Sequence, residues 1–98
     1  MGVPVRWSVG IEADLGRITT REEVVDLADA VAAINGIATG IGTTRYGAQL
    51  IVAAGSRDEA IESATEQFRQ AAARAGLPAA PIVRTEAISE AEDEDGQA

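Results

Sequence analysis

The residues best suited to ligand chemistry are Asp14, Gly16 and Arg17, which lie together in the segment Asp14-Leu15-Gly16-Arg17. The planar guanidinium of Arg17 is a good partner for a carboxylate or a phosphate, because it donates paired hydrogen bonds. Gly16 has no side chain, so a ligand could approach the backbone closely there. The segment is a candidate ligand site, but single glycine and arginine positions are weak motifs. A surface loop with a solvated arginine is the favoured interpretation.

Two carboxylates lie at the start of this region. Glu12 and Asp14 are two residues apart, which places both on one side of a strand end. A catalytic or metal site would need further ligands or a base, and the chain has no histidine and no cysteine. Thiolate chemistry, disulfides, the usual zinc sites and the commonest general base are therefore excluded. We interpret the pair as solvated acids, and we expect a protein that is not an enzyme and carries no cofactor or metal.

The charge of the chain limits its partners. Sixteen acidic residues against eight arginines and no lysine give a net charge of −8. Such a surface repels phosphate backbones and anionic membranes, so neither nucleic acid nor a membrane is an expected partner. RNA-recognition domains stack bases on aromatic residues of their central strands. The third predicted strand, Ala48–Ala54, contains no aromatic residue.

The two ends of the chain differ in character. The last stretch, 90–98, holds five of the acidic residues and no large apolar side chain, so we predict a disordered tail after a single domain over 1–89. The N-terminal residues show no basic region followed by an apolar run, which favours a cytoplasmic protein.

The hydrophobic pattern predicts six elements in the order βαββαβ. Apolar residues alternate in the first strand and recur at helical spacing in both helices. Each helix is expected to begin with a capping box, in which a hydroxyl and a glutamate three residues later satisfy each other's backbone N–H groups. These boxes are Thr20 with Glu23 and Ser56 with Glu59. The predicted elements are strands at Val5–Ala13, Ile37–Thr44, Ala48–Ala54 and Ile82–Ile88, with helices after Thr20 and Ser56 and a turn at Arg45-Tyr46-Gly47.

This order predicts an α+β fold, a ferredoxin-like βαββαβ sandwich. Its four-stranded antiparallel sheet would carry both helices on one face. We expect Trp7, Val9 and Ile11 to face the helices, together with Leu50 and Val52. The opposite side, here called the open sheet face, is then small, flat and partly apolar.

The open sheet face is the predicted interaction surface, because a bare apolar face in a soluble protein usually meets a partner. A plain solvated face with scattered apolar residues is the alternative. The expected partner is a second copy of the chain, forming a dimer, or another protein. Contact through an edge strand is equally open. The candidate interface residues are Arg6, Ser8, Gly40, Gly42, Gln49, Ile51 and Ala53.

The loop with Asp14 and Gly16 resembles the amino-acid-binding ACT domain. That family shares the βαββαβ order and carries an acidic residue and a glycine near the end of its first strand. The resemblance implies a small-molecule sensing domain with its ligand, an amino acid or an anion, near Asp14, Gly16 and Arg17. The chain departs from the family where several residues separate Gly16 from the helix cap at Thr20.

The second half of the chain resembles small uncharacterised actinobacterial proteins. The shared patterns are Tyr46-Gly47-Ala48, the segment from Ala71 to Pro78, and Pro81-Ile82-Val83-Arg84. This resemblance implies the same fold and a bacterial cytosolic setting. A non-enzymatic interaction module is thus the first functional hypothesis, and an ACT-like sensing domain is the alternative.

Overall fold

The structure is a computed structural model that describes residues 5–40 and 43–89. Its secondary structure follows the predicted order of strands and helices. The class is α+β, as expected. The elements are β1 (Val5–Asp14), α1 (Arg21–Ala32), β2 (Ile37–Thr39), β3 (Arg45–Ala54), α2 (Arg57–Arg74) and β4 (Ile82–Ser89).

The four strands form one antiparallel sheet in the order β2-β3-β1-β4. The long strands β1 and β3 occupy its centre and pair along ten residues, from Val5 opposite Ala54 to Asp14 opposite Arg45. β4 forms one edge and the three-residue β2 forms the other. Pro81 precedes β4, which agrees with the tolerance of edge strands for proline.

Side chains that alternate along β1 and β3 build the core. Val9, Ile11 and Leu50 are fully buried, whereas the residues between them are at least partly exposed. The predicted facing of both strands is therefore confirmed. Buried residues of both helices belong to the same hydrophobic cluster, so the helices cover one face of the sheet, and within 5–40 and 43–89 no helix covers the other. The fully buried side chains from the helices include Leu27, Val31 and Phe68.

The capping box predicted twice is present once. At α1 the Thr20 hydroxyl accepts from the Glu23 N–H at 3.1 Å, and the Glu23 carboxylate accepts from the Thr20 N–H at 2.8 Å. At α2 the Ser56 hydroxyl accepts from the Glu59 N–H, but the Glu59 carboxylate accepts from the N–H of Gly55 instead. The second helix start is therefore capped without the reciprocal bond.

The second strand is shorter than predicted. It ends at Thr39, so the predicted strand over Ile37–Thr44 is wrong at Gly40, Thr43 and Thr44. Gly40 has a φ of +96°, and a side chain there would collide with the backbone of Arg45. The chain leaves the sheet at this glycine because only glycine adopts such a backbone readily in so tight a place.

The third strand begins three residues earlier than predicted. The segment Arg45-Tyr46-Gly47 was expected to turn, yet it continues the ladder with β1. Tyr46 is buried in the core, where its ring stacks on Phe68 with centroids 5.6 Å apart. Gly47 suits this position because it has no side chain. A methyl group there would collide with the carbonyl oxygen of Ile11. The glycine thus permits close pairing of the strands and does not mark a turn.

Two predictions fall outside the residues that the structure describes. They are the acidic tail over 90–98 and the interface position Gly42. Among the described helices, none is long and apolar enough to span a membrane.

Candidate functional site

The open sheet face carries five of the predicted interface residues. Arg6 and Ser8 of β1 lie opposite Ala53 and Ile51 of β3, and Gln49 lies one cross-strand row further along, opposite Gly10. All five alternate along their strands with residues that face the helices, which are buried from Val9 onward in β1 and throughout the matching part of β3. Gly40 does not join them as a strand residue, because β2 ends before it. An interface at these residues stays a prediction.

Three isoleucines give this face its apolar character. Ile51 and Ile88 flank Ser8 in one row across β3, β1 and β4, with 48% and 40% of their surface exposed. Ile37 is 70% exposed and lies opposite Gln49, so it shares the same face. We call Ile37, Ile51 and Ile88 the isoleucine patch. Exposed isoleucines from three strands thus lie on one face, and an apolar surface of this kind is a candidate interaction site.

A shallow polar cleft of about 230 Å³ adjoins the patch. It forms over Gly10, where the missing side chain lets the amide of Gln49 lie across β1. Gln49 Nε2 donates a hydrogen bond to Ser8 Oγ at 2.6 Å. The remaining polar residues around the cleft are Glu12, Thr39, Arg84 and Glu86.

The charges of the open sheet face balance one another. Arg45 Nη1 lies 3.7 Å from Glu12 Oε1, and Arg84 Nη2 lies 3.6 Å from Glu86 Oε2. Both pairs are partly or largely exposed to solvent. Pairs of this kind contribute little stability, but they leave the face locally neutral although the chain is strongly acidic.

The predicted ligand loop is held by its own chain. The Asp14 carboxylate accepts a hydrogen bond from the Gly16 N–H at 3.0 Å. The Arg17 guanidinium donates to both carboxylate oxygens of Glu23, at 2.8 and 2.7 Å. The three predicted residues are thus close in sequence and space, but both Nη atoms of Arg17 already donate hydrogen bonds to Glu23.

The charge state of Glu23 reflects this pairing. Hydrogen bonds from Arg17 and from the Thr20 backbone lower the pKa of the Glu23 carboxyl to about 2. The same hydrogen bond raises the pKa of Arg17. An anionic ligand that bound Arg17 would have to compete with this carboxylate. Ligand binding at Asp14, Gly16 and Arg17 stays a prediction.

The two carboxylates of the β1 end have separate partners. Glu12 lies near Arg45, whereas Asp14 bonds to the Gly16 backbone. Within 5–40 and 43–89, no group of three or more potential metal-ligating side chains comes together.

A second cleft, of about 140 Å³, lies between α2 and the segment that leads into β4. Phe68, Leu77 and Ile82 give it apolar walls, and Arg69 lies at its border. Tyr46 donates a long hydrogen bond of 3.4 Å to the Pro78 carbonyl oxygen, and burial raises the pKa of its hydroxyl. The sequence did not indicate this cleft, because Tyr46 was assigned to a turn.

Two members of the isoleucine patch were also not predicted. The predicted interface positions Gly40 and Gly42 would place Ile37 on the helix side of the second strand, but Ala38 packs against the core in its place. A strand of three residues contains too little alternation to fix its facing. Ile88 lies in the predicted last strand, but its position opposite Ser8 depends on the register between β1 and β4. Register between distant strands has no signal in a single sequence.

Comparisons of the chain with protein-family models, with curated proteins and with solved structures give no match in any of the three. The resemblances to the ACT domain and to actinobacterial proteins therefore stay predictions.

Proposed function

We propose that this chain is a ferredoxin-like, non-enzymatic interaction module that binds a second copy of itself through the open sheet face. The strand order β2-β3-β1-β4, with two helices over one face of the sheet, supports a ferredoxin-like fold, because two interlocked βαβ units produce that order. The isoleucine patch is the observation that carries the functional proposal. The proposal also includes the cytoplasmic location predicted from the sequence.

Apolar burial supplies the attraction. Burying one isoleucine side chain fully contributes about 1.5–3 kcal/mol. The three isoleucines of the patch still expose 40% or more of their surface. A two-fold contact buries the same patch on both copies, so each residue contributes twice. That gain opposes the loss of translational and rotational freedom on association.

Charge favours the same surface. The whole chain has a net charge of −8, so two copies repel each other on approach. The described part of the open sheet face is an exception, because it carries three arginines and three acidic residues. These are Arg6, Arg45 and Arg84 with Glu12, Asp14 and Glu86. Two copies that meet through this face therefore bring together neutral surfaces.

Sedimentation velocity on the Ile51→Glu variant tests the proposal. A buried, unpaired carboxylate is strongly unfavourable in an apolar contact, so we expect this variant to sediment as a smaller species than the parent. Ile18→Glu is the matched control, because Ile18 is 64% exposed in the loop before α1 and lies outside the patch. The control should assemble as the parent does. A parent that stays monomeric at high concentration would overturn the proposal, as would an Ile51→Glu variant with unchanged assembly.

A further inference from the structure

The outer edge of β4 has a definite pattern of backbone groups. At the end of β1, the Asp14 N–H donates to Pro81 O at 3.0 Å, and the Leu15 N–H donates to Thr44 O at 2.9 Å. Even-numbered residues of β1 therefore bond toward β4 and odd-numbered ones toward β3, because backbone groups alternate sides along a strand.

The pairing of β4 then decides which of its groups point outward. Gly10 lies opposite Glu86, and Glu12 lies opposite Arg84. These pairs use the backbone groups of Glu86 and Arg84, so those of Thr85 point away from the sheet. Among residues 5–40 and 43–89, β1 is the only strand that pairs with β4. A strand edge of this kind is a template for pairing with another chain.

We infer that a second copy of the chain pairs its own β4 antiparallel to this edge, with the two Thr85 residues opposite each other. In that register Arg84 lies opposite Glu86 of the second copy, and Glu86 lies opposite its Arg84. Opposite charges in such cross-strand positions attract, and the two-fold symmetry forms the pair twice. The edge contact does not involve Ile37 or Ile51 of the isoleucine patch, which lie on β2 and β3. It therefore stands independently of the proposed face-to-face contact, whose test substitutes Ile51.

Charge disfavours the neighbouring registers. Centring the pair on Arg84 would set two arginines opposite each other, and centring it on Glu86 would set two glutamates opposite each other. Like charges directly opposite are destabilising. The intrachain pair of Arg84 and Glu86 is exposed and loose, with 3.6 Å between the nearest atoms, so both side chains are available to a new partner.

The geometry of β4 is compatible with pairing along Arg84-Thr85-Glu86. The irregularity in the β1–β4 ladder falls between Glu12 and Ala13, where Val83 is the extra residue of β4. It therefore lies outside the segment Arg84-Thr85-Glu86. Pairing about a two-fold axis perpendicular to the sheet would give eight strands with all four helices on the same side.

Charge reversal tests the inferred register. Arg84→Glu places two glutamates of each chain opposite two of the second copy, and Glu86→Arg does the same with arginines. We expect each variant alone to self-associate about tenfold more weakly than the parent or worse. A mixture of the two should form heterodimers, because every cross-strand pair is then opposite in charge. The doubly exchanged chain, R84E together with E86R, should assemble as the parent does.

The measurements are sedimentation velocity at low ionic strength and native mass spectrometry of the mixture with one chain isotope-labelled. Equal association of both single variants and the parent would overturn the inference, and so would a mixture with no preference for heterodimers. Thr85→Pro is a test that does not depend on charge, since it removes an N–H that points outward and spares the ladder with β1. With its fold verified by circular dichroism, this variant should lose the edge contact. Retention of that contact would also overturn the inference.

The two proposed contacts fail separately. If Ile51→Glu alone reduces assembly, the edge inference is wrong and the face-to-face proposal stands. If only the β4 variants reduce assembly, the face-to-face proposal is wrong and the edge inference stands. If both contacts form, the parent assembles beyond a dimer and each class of variant leaves a dimer.

Discussion

Arg17 and Glu23 are joined by two parallel hydrogen bonds, Nη1 to Oε1 at 2.8 Å and Nη2 to Oε2 at 2.7 Å. Glu23 Oε1 also accepts from the Thr20 N–H at 2.8 Å. One carboxylate thus completes the cap of α1 and fixes the loop that precedes the helix. The loop with the candidate ligand residues is thus ordered by the helix that follows it, and ligand binding there stays a prediction.

The Arg17→Ala variant should raise the pKa of Glu23 from about 2 toward the ordinary range of a glutamate, since the hydrogen bond from Arg17 is the largest cause of the lowered value. The pKa should stay somewhat low, because the bond from the Thr20 backbone remains. NMR titration of the side-chain carboxyl signal measures this value. Arg57→Ala, which removes an exposed arginine at the start of α2, should leave it unchanged. An unchanged Glu23 pKa in Arg17→Ala would show that the pair is not formed in solution.

The same carboxyl should make folding stability depend on pH. Its pKa is about 2 in the folded chain and about 4.5 without the interactions of the folded state. A lowered pKa stabilises the fold fully above the unfolded value, and that stabilisation disappears as the pH falls from about 4.5 to about 2. We therefore expect the free energy of unfolding of the parent to exceed that of Glu23→Gln at neutral pH and to converge with it in acid.

Urea denaturation at a series of pH values measures both free energies. Glu22→Gln is the matched control, because Glu22 is an exposed acid in the same helical turn. The free energy of unfolding of Glu22→Gln should differ from that of the parent by an amount that changes less between pH 5 and 2 than the corresponding difference for Glu23→Gln. A constant difference between the parent and Glu23→Gln over this range would contradict the prediction.

The two helix caps should respond alike to loss of their hydroxyls. Thr20→Ala and Ser56→Ala each remove an acceptor for the N–H three residues later, which costs about 1 kcal/mol of stability. Ser63→Ala, in the middle of α2, removes an acceptor for the side-chain amide of Gln67 but no helix cap. Its cost should be smaller, because alanine has the highest helix propensity. Chemical denaturation compares the three variants.

Only the first cap belongs to a reciprocal box, and this difference gives a second readout. Thr20→Ala should also raise the pKa of Glu23, because the Thr20 hydroxyl contributes to its lowered value. Ser56→Ala should not. Equal Glu23 pKa values in the two variants would contradict the coupling of cap and ion pair.

The elements that the sequence predicted well are those with long periodic patterns. Val9 and Ile11 alternate with Ser8, Gly10 and Glu12 along β1, so their burial was predicted correctly. Both helix starts followed from Thr20 and Ser56, since capping is a local interaction. The order of the elements then restricted the topology to a few possibilities.

The errors came from residues whose meaning depends on distant neighbours. Tyr46 and Gly47 have the composition of a turn, yet the ladder with β1 draws them into β3. The pairing of Arg17 with Glu23 depends on the path of the loop, which spacing does not give. Ile37 and Ile88 reach the open sheet face only through the registers of the two edge strands.

The close approach of β1 and β3 at Gly47 predicts a large effect for Gly47→Ala. A methyl group at Gly47 would meet the carbonyl oxygen of Ile11 and would lie 2.9 Å from Thr39 Oγ1. Either the β1–β3 ladder opens at this point or the end of β2 moves away. Strain of this kind costs about 1–3 kcal/mol, so we expect a clear loss in the free energy of unfolding.

Gly55→Ala provides the matched control for Gly47→Ala. Its methyl group would approach only the flexible end of Glu59, at 3.3 Å, so its effect on stability should be much smaller. Urea denaturation gives the size of both effects, and amide hydrogen exchange locates the first. In Gly47→Ala, exchange should accelerate most at residues paired with the start of β3, because the ladder opens there. Equal stabilities of the two variants would mean that the strands do not approach as closely as the structure has them.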